Sequence, residues 1–252
     1  MIETTREIPS SAQQAALAST AQQVGHLYGF LASLYRTELT QQQLHALRQP
    51  EMVAMLTAAG IDLHGAFWTQ PDTQLLEELA VEFTALFLGP GGHISPHESV
   101  QIEEHGGYWG DATTAVRRFI TGTGIEYDSG YNGVPDHISV ELEFLGELAR
   151  REGLAWEQGD TAAAGNCLAY QRDFLDEHLG QWVEKFCTRV VETAELSFYR
   201  DVARVTAEFV RSEISAVQER LEGVSASVEP PVASMSVVEP ELVHAGGSAN
   251  AI

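Results

Sequence analysis

Apolar residues recur three and four positions apart along nearly the whole chain, and this spacing constrains its fold most. It is the period of a helix with one buried face. No stretch shows the alternation of apolar and polar residues that is typical of a half-exposed β-strand. The sequence therefore predicts an all-α fold, one globular domain of about nine or ten helices. The predicted helices cover Ser11–Glu38, Thr40–Leu47, Pro50–Ala59, Pro71–Phe87, Asp111–Ile120, Pro135–Gly153, Asp160–Leu179, Gln181–Thr193 and a last segment from Ser197, and Gly60–Thr69 is predicted as a loop.

Composition divides the chain into three parts. Residues 1–10 read as a flexible N-terminus, and residues 11–222 form the predicted helical domain, which is long enough for a sizeable core. Residues 223–252 contain no aromatic residue, lysine or arginine, and three prolines interrupt them. Their valines follow no helical period, so we expect a disordered tail.

The charge of the chain is strongly negative and limits its partners. It carries 36 Asp and Glu against 14 Lys and Arg, a net charge of −22. Such a surface repels phosphate backbones and anionic lipids, so neither nucleic acid nor membrane insertion is expected, whereas arginine-bearing peptides would be attracted. The N-terminus has no apolar signal region, and no run approaches about eighteen apolar residues. We therefore expect a cytoplasmic protein, with Cys167 and Cys187 as reduced core thiols.

The segment GVPDHISVELEFLGELARREG combines a strong helical pattern with a polar entrance. Pro135 and Asp136 are predicted to start the helix, with the Asp136 carboxylate satisfying free N–H groups of its first turn. Gly153 is predicted to end it, after an ion pair between Glu147 and Arg151. His137 then lies beside Asp136 where a glycine-rich loop meets a buried helix, a place where functional residues are common.

A second segment, FTALFLGPGGHISPHES, ends a helix with large apolar side chains. The helix carries Phe83, Leu86 and Phe87 near its end and must stop at Gly89 and Pro90. One interpretation places these side chains in the core. The other places them in a groove with the loop aromatics Tyr108, Trp109 and Tyr131, where a peptide with an apolar run and basic residues could bind.

Motifs of common enzyme classes are missing from the sequence. It contains no GxGxxG, GxxxxGK[ST], GxSxG or HExxH. A helical metal-dependent enzyme remains the alternative, because imidazole and carboxylate groups together suit zinc, iron or manganese. Its ligands would be His97, His105, His137 and Glu141, although no two of the histidines form an i, i+4 pair on a helix. We therefore predict no catalytic residue, no metal site and no cofactor.

Four motifs in fixed order resemble one known family. FTALFLGPG, PHES, YWGDATTAVRRF and GVPDHISVELEFLGEL resemble the TorD-like family of molybdoenzyme maturation chaperones, over about residues 20–215. The resemblance implies an all-helical cytoplasmic protein without catalytic chemistry. It also implies a partner: the catalytic subunit of a DMSO-reductase-type molybdenum enzyme, bound through its twin-arginine signal peptide until the molybdopterin cofactor is inserted.

The resemblance also implies which residues bind the peptide. The matching positions are Phe83, Leu86, Phe87, Gly89, Pro90, Gly110, Pro135, Asp136 and His137. Gly91 stands where some relatives carry tryptophan and Gln101 where many carry an aromatic residue, and these departures leave open which peptide is bound. Asp136 or nearby glutamates would accept the arginines, and His137 would tune binding by charging near neutral pH. The sequence leaves open whether the protein is a monomer or a homodimer.

Overall fold

The computed structural model describes residues 9–58, 60–61, 63, 65–89, 93–102, 109–126 and 133–225. Within these ranges the chain is helical and contains no β-strand, only one isolated bridge between His97 and His137. The predicted all-α fold is confirmed. The helices are α1 (Ser11–Arg36), α2 (Gln41–Leu47), α3 (Pro50–Ala58), α4 (Ala66–Thr69), α5 (Asp72–Phe83), α6 (Glu98–Ile102), α7 (Asp111–Gly122), α8 (Ile138–Glu157), α9 (Thr161–Phe174), α10 (Gly180–Thr193) and α11 (Ser197–Ser225).

Two π-turns extend these helices. Thr84–Leu88 continues α5, and Leu175–Leu179 joins α9 to α10 without a break. Counted as continuous helices, the described residues therefore form ten. Helix starts fixed by local capping agree well with the prediction. At α2, for example, the Thr40 hydroxyl accepts from the Gln43 N–H while the Gln43 side chain returns to the Thr40 N–H. The stretch predicted as a loop at Gly60–Thr69 contains the short helix α4.

Two predicted helix ends are wrong, and both fall on glycines. Gly153 lies inside α8, where a Cβ atom would stand 3.3 Å from the carbonyl oxygen of Ala18 on α1. Gly180 does not end a helix either, because α10 continues from it directly. A Cβ atom there would overlap the Leu175 carbonyl oxygen, so the missing side chain permits the π-turn. Both glycines allow another part of the backbone to approach closely, and neither of them ends a helix.

The core lies between α1, α8 and the pair α10–α11, and it fixes the position of α5. Phe83 and Phe87 of the α5 segment pack their rings against each other and against Tyr199 of α11. Phe87 also contacts Tyr35 of α1 and Phe186 of α10. The C-terminal end of α5 is thereby held by three other helices.

The ends of the chain fall largely outside the description. Residues 223–225, predicted as the start of the tail, belong to α11, while residues 1–8 and 226–252 lie outside the described residues. None of the helices described is both long and apolar enough to cross a membrane. Cys167 and Cys187 are free thiols; Cys187 is a core residue as predicted, whereas Cys167 is only partly buried. Burial raises the pKa of Cys187 to about 12.

Candidate functional site

The two stretches singled out in the sequence meet in space through residues 93–98 of the second stretch. The carbonyl of Leu86 in the α5 π-turn accepts a hydrogen bond from the Ile94 N–H at 2.7 Å. The carbonyl of Pro96 accepts from the Ile138 N–H at 2.9 Å, and that of Asp136 accepts from the Glu98 N–H at 3.0 Å. We call residues 93–98 together with 135–138 the junction. It ties the end of α5 to the starts of α6 and α8.

Asp136 and His137 cap different helices from those predicted. The Asp136 carboxylate is fully buried and accepts from the Ser99 N–H at 2.9 Å, so it caps α6 and not α8. The cap of α8 is His137, whose Nδ1 accepts from the Ser139 N–H at 3.1 Å. The sequence misled because proline followed by aspartate is typical of a helix start, and here the aspartate reaches a helix 37 positions away.

Burial keeps the imidazoles of His97 and His137 neutral at neutral pH. Burial, assisted by nearby His97 and Arg36, lowers the pKa of His137 to about 3. The predicted charging of His137 near neutral pH is therefore wrong. The pKa of His97 is also lowered, mainly by burial, although the field of Asp136 opposes the shift. The two rings meet edge to face with centroids 4.9 Å apart.

Behind the junction lies a buried acidic cluster. The Glu98 carboxylate is 3.2 Å from Nδ1 of His178, and Glu141 accepts from the Trp182 indole N–H at 3.2 Å. Burial and the field of Glu98 raise the pKa of Glu141 well above its usual value. Neither Asp136 Oδ1 nor Glu141 Oε1 has a hydrogen-bond partner within the described ranges.

The metal-enzyme alternative finds no support in these contacts. Among the residues that the structure describes, no group of three or more His, Cys, Asp or Glu side chains is placed to hold a metal ion. His97 and His137 contact each other through their rings, while Glu141 bonds Trp182. His105, the fourth proposed ligand, lies outside the described residues.

The apolar side chains predicted to face a peptide are instead core residues. Phe83, Leu86 and Phe87 are each 3% exposed, because the face of α5 that carries them packs against α1, α10 and α11. The idea of an open surface formed by these three side chains therefore needs correction, and the core interpretation describes them better. Pro135 is buried as well.

The remaining predicted residues hold backbone geometry. Gly89 ends the α5 π-turn by donating its N–H to the Thr84 carbonyl at 2.7 Å, and a Cβ atom there would lie 3.2 Å from the same oxygen. Gly110 precedes α7 as its N-cap. Pro90, Tyr108 and Tyr131 lie outside the described residues, and Trp109 is 63% exposed.

The opposite face of α5, which was not predicted to be functional, borders an open groove. The groove has a volume of about 710 Å³ and runs between α5 and the α10–α11 connection. We call it the α5 groove; its lining residues are Glu77, Glu78, Val81, Glu82, Ala85, Leu86, Thr193, Glu195 and Leu196. A signal existed in the sequence: Val81, Ala85 and Leu88 form a second apolar stripe, and all three are exposed.

Comparison with known proteins supplies the family. A family model described as "Nitrate reductase delta subunit" matches residues 46–188, more than half of the chain. The chain belongs to this family, the TorD-like proteins. Its relatives include "Chaperone protein TorD" of Vibrio vulnificus strain YJ016, 27% identical over 196 residues that cover 73% of this chain and 89% of the relative. The protein of the same name from Aliivibrio fischeri is 25% identical and is covered to 96% of its length, against 79% of this chain.

A solved structure is similar as well. A crystal structure of a protein assigned to redox enzyme maturation in Archaeoglobus fulgidus shares 25% identity, with 75% of this chain and 93% of that chain covered and a TM-score of 0.45. The part of this TorD-like chain matched by the family model contains the whole junction and the α5 side of the groove. The other wall of the groove, Thr193–Leu196, lies beyond the matched part.

Proposed function

We propose that this chain is a maturation chaperone for a molybdenum enzyme of the DMSO-reductase type. In the cytoplasm it binds the twin-arginine signal peptide of the catalytic subunit and holds the subunit until its molybdopterin cofactor is inserted and export can begin. The observation that carries the proposal is the family match over residues 46–188, which includes every part of the junction. Similarity to relatives named chaperones over about nine-tenths of their length supports it further.

The buried junction has a supporting role in this proposal. Asp136 caps α6, His137 caps α8, and Phe87 packs against three other helices, so together they fix α5, α6 and α8 relative to one another. A substitution there would act on peptide binding by moving the exposed faces of these helices. A direct contact between Asp136 and the peptide is not needed.

The surface chemistry fits a peptide of this kind. A chain of net charge −22 attracts the arginines of the peptide, and carboxylates bind guanidinium groups with two parallel hydrogen bonds. Burying a few aliphatic side chains contributes roughly 1.5–3 kcal/mol each before ordering costs, which is enough for about micromolar affinity. Reversible binding of that strength suits a chaperone that must release its client.

Capture of the client from its native extract tests the proposal. The purified chain is immobilised, and bound proteins are identified by mass spectrometry. We expect the large subunit of a molybdopterin enzyme, and we expect its capture to fail when its N-terminal leader is deleted. Capture of other proteins alone, or capture that survives removal of the leader, would contradict the proposal.

A further inference from the structure

We propose that the α5 groove binds the basic residues of the client's leader together with the apolar residues that follow them. This proposal rests on the proposed function and adds the place of binding. It differs from the prediction made from sequence, in which Asp136 received the arginines and Phe83, Leu86 and Phe87 received the apolar run. Those four side chains are buried, whereas the groove lies open beside α5.

The floor of the groove suits aliphatic side chains. Val81 is 71% exposed and Ala85 stands one turn further along the same face, with half-buried Leu196 beside them. Leu88, 62% exposed, extends this apolar stripe along the helix. Exposed apolar side chains that follow one another along a groove are typical of a protein-binding surface.

The rim suits basic side chains. Four of the lining residues are glutamates, and none of the lining residues that the structure describes is a lysine or arginine. Arg200 lies beside the groove: it donates to the carbonyls of Ala194 and Glu195 at 2.7 and 2.9 Å, and its positive field reaches Glu82. A guanidinium group entering the groove therefore meets a lining in which negative charge exceeds positive charge.

Glu82 adds a second, independent sign of a cation site. It is 8% exposed, and its Oε1 accepts from the backbone N–H groups of Glu195 and Leu196, the latter at 2.8 Å. Its Oε2 is shielded from solvent and has no hydrogen-bond partner among the described residues. A carboxylate buried in this way gains more from a nearby cation than an exposed one, because solvent screens it less.

Charge also argues against occupants from the chain itself. Residues 226–252 contain neither lysine nor arginine, and a second copy brings another net charge of −22. Residues 1–8 contain one arginine, Arg6, beside two glutamates. A partner with adjacent arginines and an apolar run is the better match to this groove.

The test measures binding of a fluorescein-labelled synthetic peptide, two adjacent arginines followed by leucines and alanines, to the full chain. The double variant Glu77→Lys with Glu195→Lys should weaken binding about tenfold, since it reverses two exposed contacts. Val81→Ser, which removes an apolar side chain from the floor of the groove, should weaken peptide binding several-fold. The matched control is Glu51→Lys with Glu219→Lys, two exposed glutamates outside the groove that give the same change in net charge. The control should bind within about twofold of the unmodified chain.

A photo-crosslinker at a leucine of the peptide locates the site. Crosslinks to residues 77–86 or 193–196 are expected. Crosslinks elsewhere, equal weakening by the control variant, or a peptide that does not bind at all would overturn the groove assignment. Stronger binding after deletion of residues 1–8 would identify that segment as the occupant and would overturn it too. If the groove variant captures the native client as well as the unmodified chain does, the groove is wrong while the proposed function stands.

Discussion

His137 and Glu141 stand one helical turn apart at the start of α8, and burial shifts their two pKa values in opposite directions. The pKa of His137 falls to about 3, and that of Glu141 rises well above its usual value. Both shifts favour the neutral side chain, as expected for groups removed from water. His137 is therefore uncharged at neutral pH, and the effect of each of the two shifts on stability can be measured by substitution.

The first prediction concerns His137→Asn. Asparagine also accepts the Ser139 N–H as a helix cap, but it does not titrate. In the unmodified chain, stability from the depressed pKa is present above about pH 6.5 and is lost as the pH falls toward 3, because only the unfolded chain then binds the proton. Between pH 7 and pH 5 the unmodified chain should lose about 2 kcal/mol of unfolding free energy relative to the variant. Urea unfolding at both pH values measures this, and parallel curves would show that His137 titrates normally.

The second prediction concerns Glu141→Gln, which keeps an acceptor for the Trp182 indole. A folded-state pKa that is raised costs stability as the pH rises through and above about 4.5, because the unfolded chain releases its proton first. The unfolding free energy of the variant should therefore increase relative to that of the unmodified chain between pH 5 and pH 8. Glu219→Gln, at an exposed position of α11, controls for net charge. A Glu141→Gln advantage that does not grow with pH would contradict the assigned shift.

The sequence could identify these residues but not their environment. Asp136 and His137 were predicted at a helix entrance, and they do lie at one. Which helix each caps depends on Ser99 arriving beside Asp136, a contact between residues far apart in the chain. The same limit applies to Phe83 and Phe87: their spacing marks an apolar face, and only the packing of α1 and α10 against it determines that the face is closed.

At the scale of elements, close contact between α1 and α8 organises the domain. A Cβ atom on Gly146 would lie 3.2 Å from the Gly25 carbonyl oxygen and 3.2 Å from Cβ of Tyr28. A Cβ atom on Gly25 would lie 3.1 Å from the Gly146 carbonyl oxygen. The two backbones approach this closely only because neither glycine carries a side chain.

The third prediction follows from that contact. Gly146→Ala should destabilise the chain by about 1–3 kcal/mol, since the added methyl group must push two backbones apart. Gly29→Ala is the matched control on α1, because a Cβ atom there meets nothing within 4 Å. By helix propensity alone it should stabilise by up to about 1 kcal/mol. Thermal unfolding of both variants gives the comparison, and a stabilised Gly146→Ala would contradict the close packing.

Elements with local signals could be predicted, and elements decided by tertiary contacts could not. The start of α2 is determined locally by Thr40 and Gln43, which form hydrogen bonds with each other within one turn. Gly153 and Gly180 carry the same local signal as helix-ending glycines, yet one faces α1 and the other permits a π-turn. The α5 groove is likewise formed by parts of the chain more than 100 positions apart, as the bonds from Glu82 to residues 195 and 196 show.

At the scale of the whole molecule, the negative charge should govern how the leader binds. The fourth prediction is that its affinity falls as salt is raised, because part of the attraction acts between exposed charges screened beyond about 10 Å at 0.1 M salt. A leader with both arginines replaced by glutamine should bind more weakly and should lose most of this salt dependence. Titration calorimetry at two salt concentrations measures both effects. If the affinity does not depend on salt, exposed charges do not contribute and the apolar floor of the α5 groove alone binds the leader.

We propose above all that this TorD-like chain recognises its client through the client's N-terminal leader. The most direct measurement is the dissociation constant of the purified chain for the cofactor-free catalytic subunit, with and without that leader. We predict that removing the leader weakens binding at least about tenfold, equivalent to about 1.4 kcal/mol. Equal dissociation constants for the two forms would contradict the account.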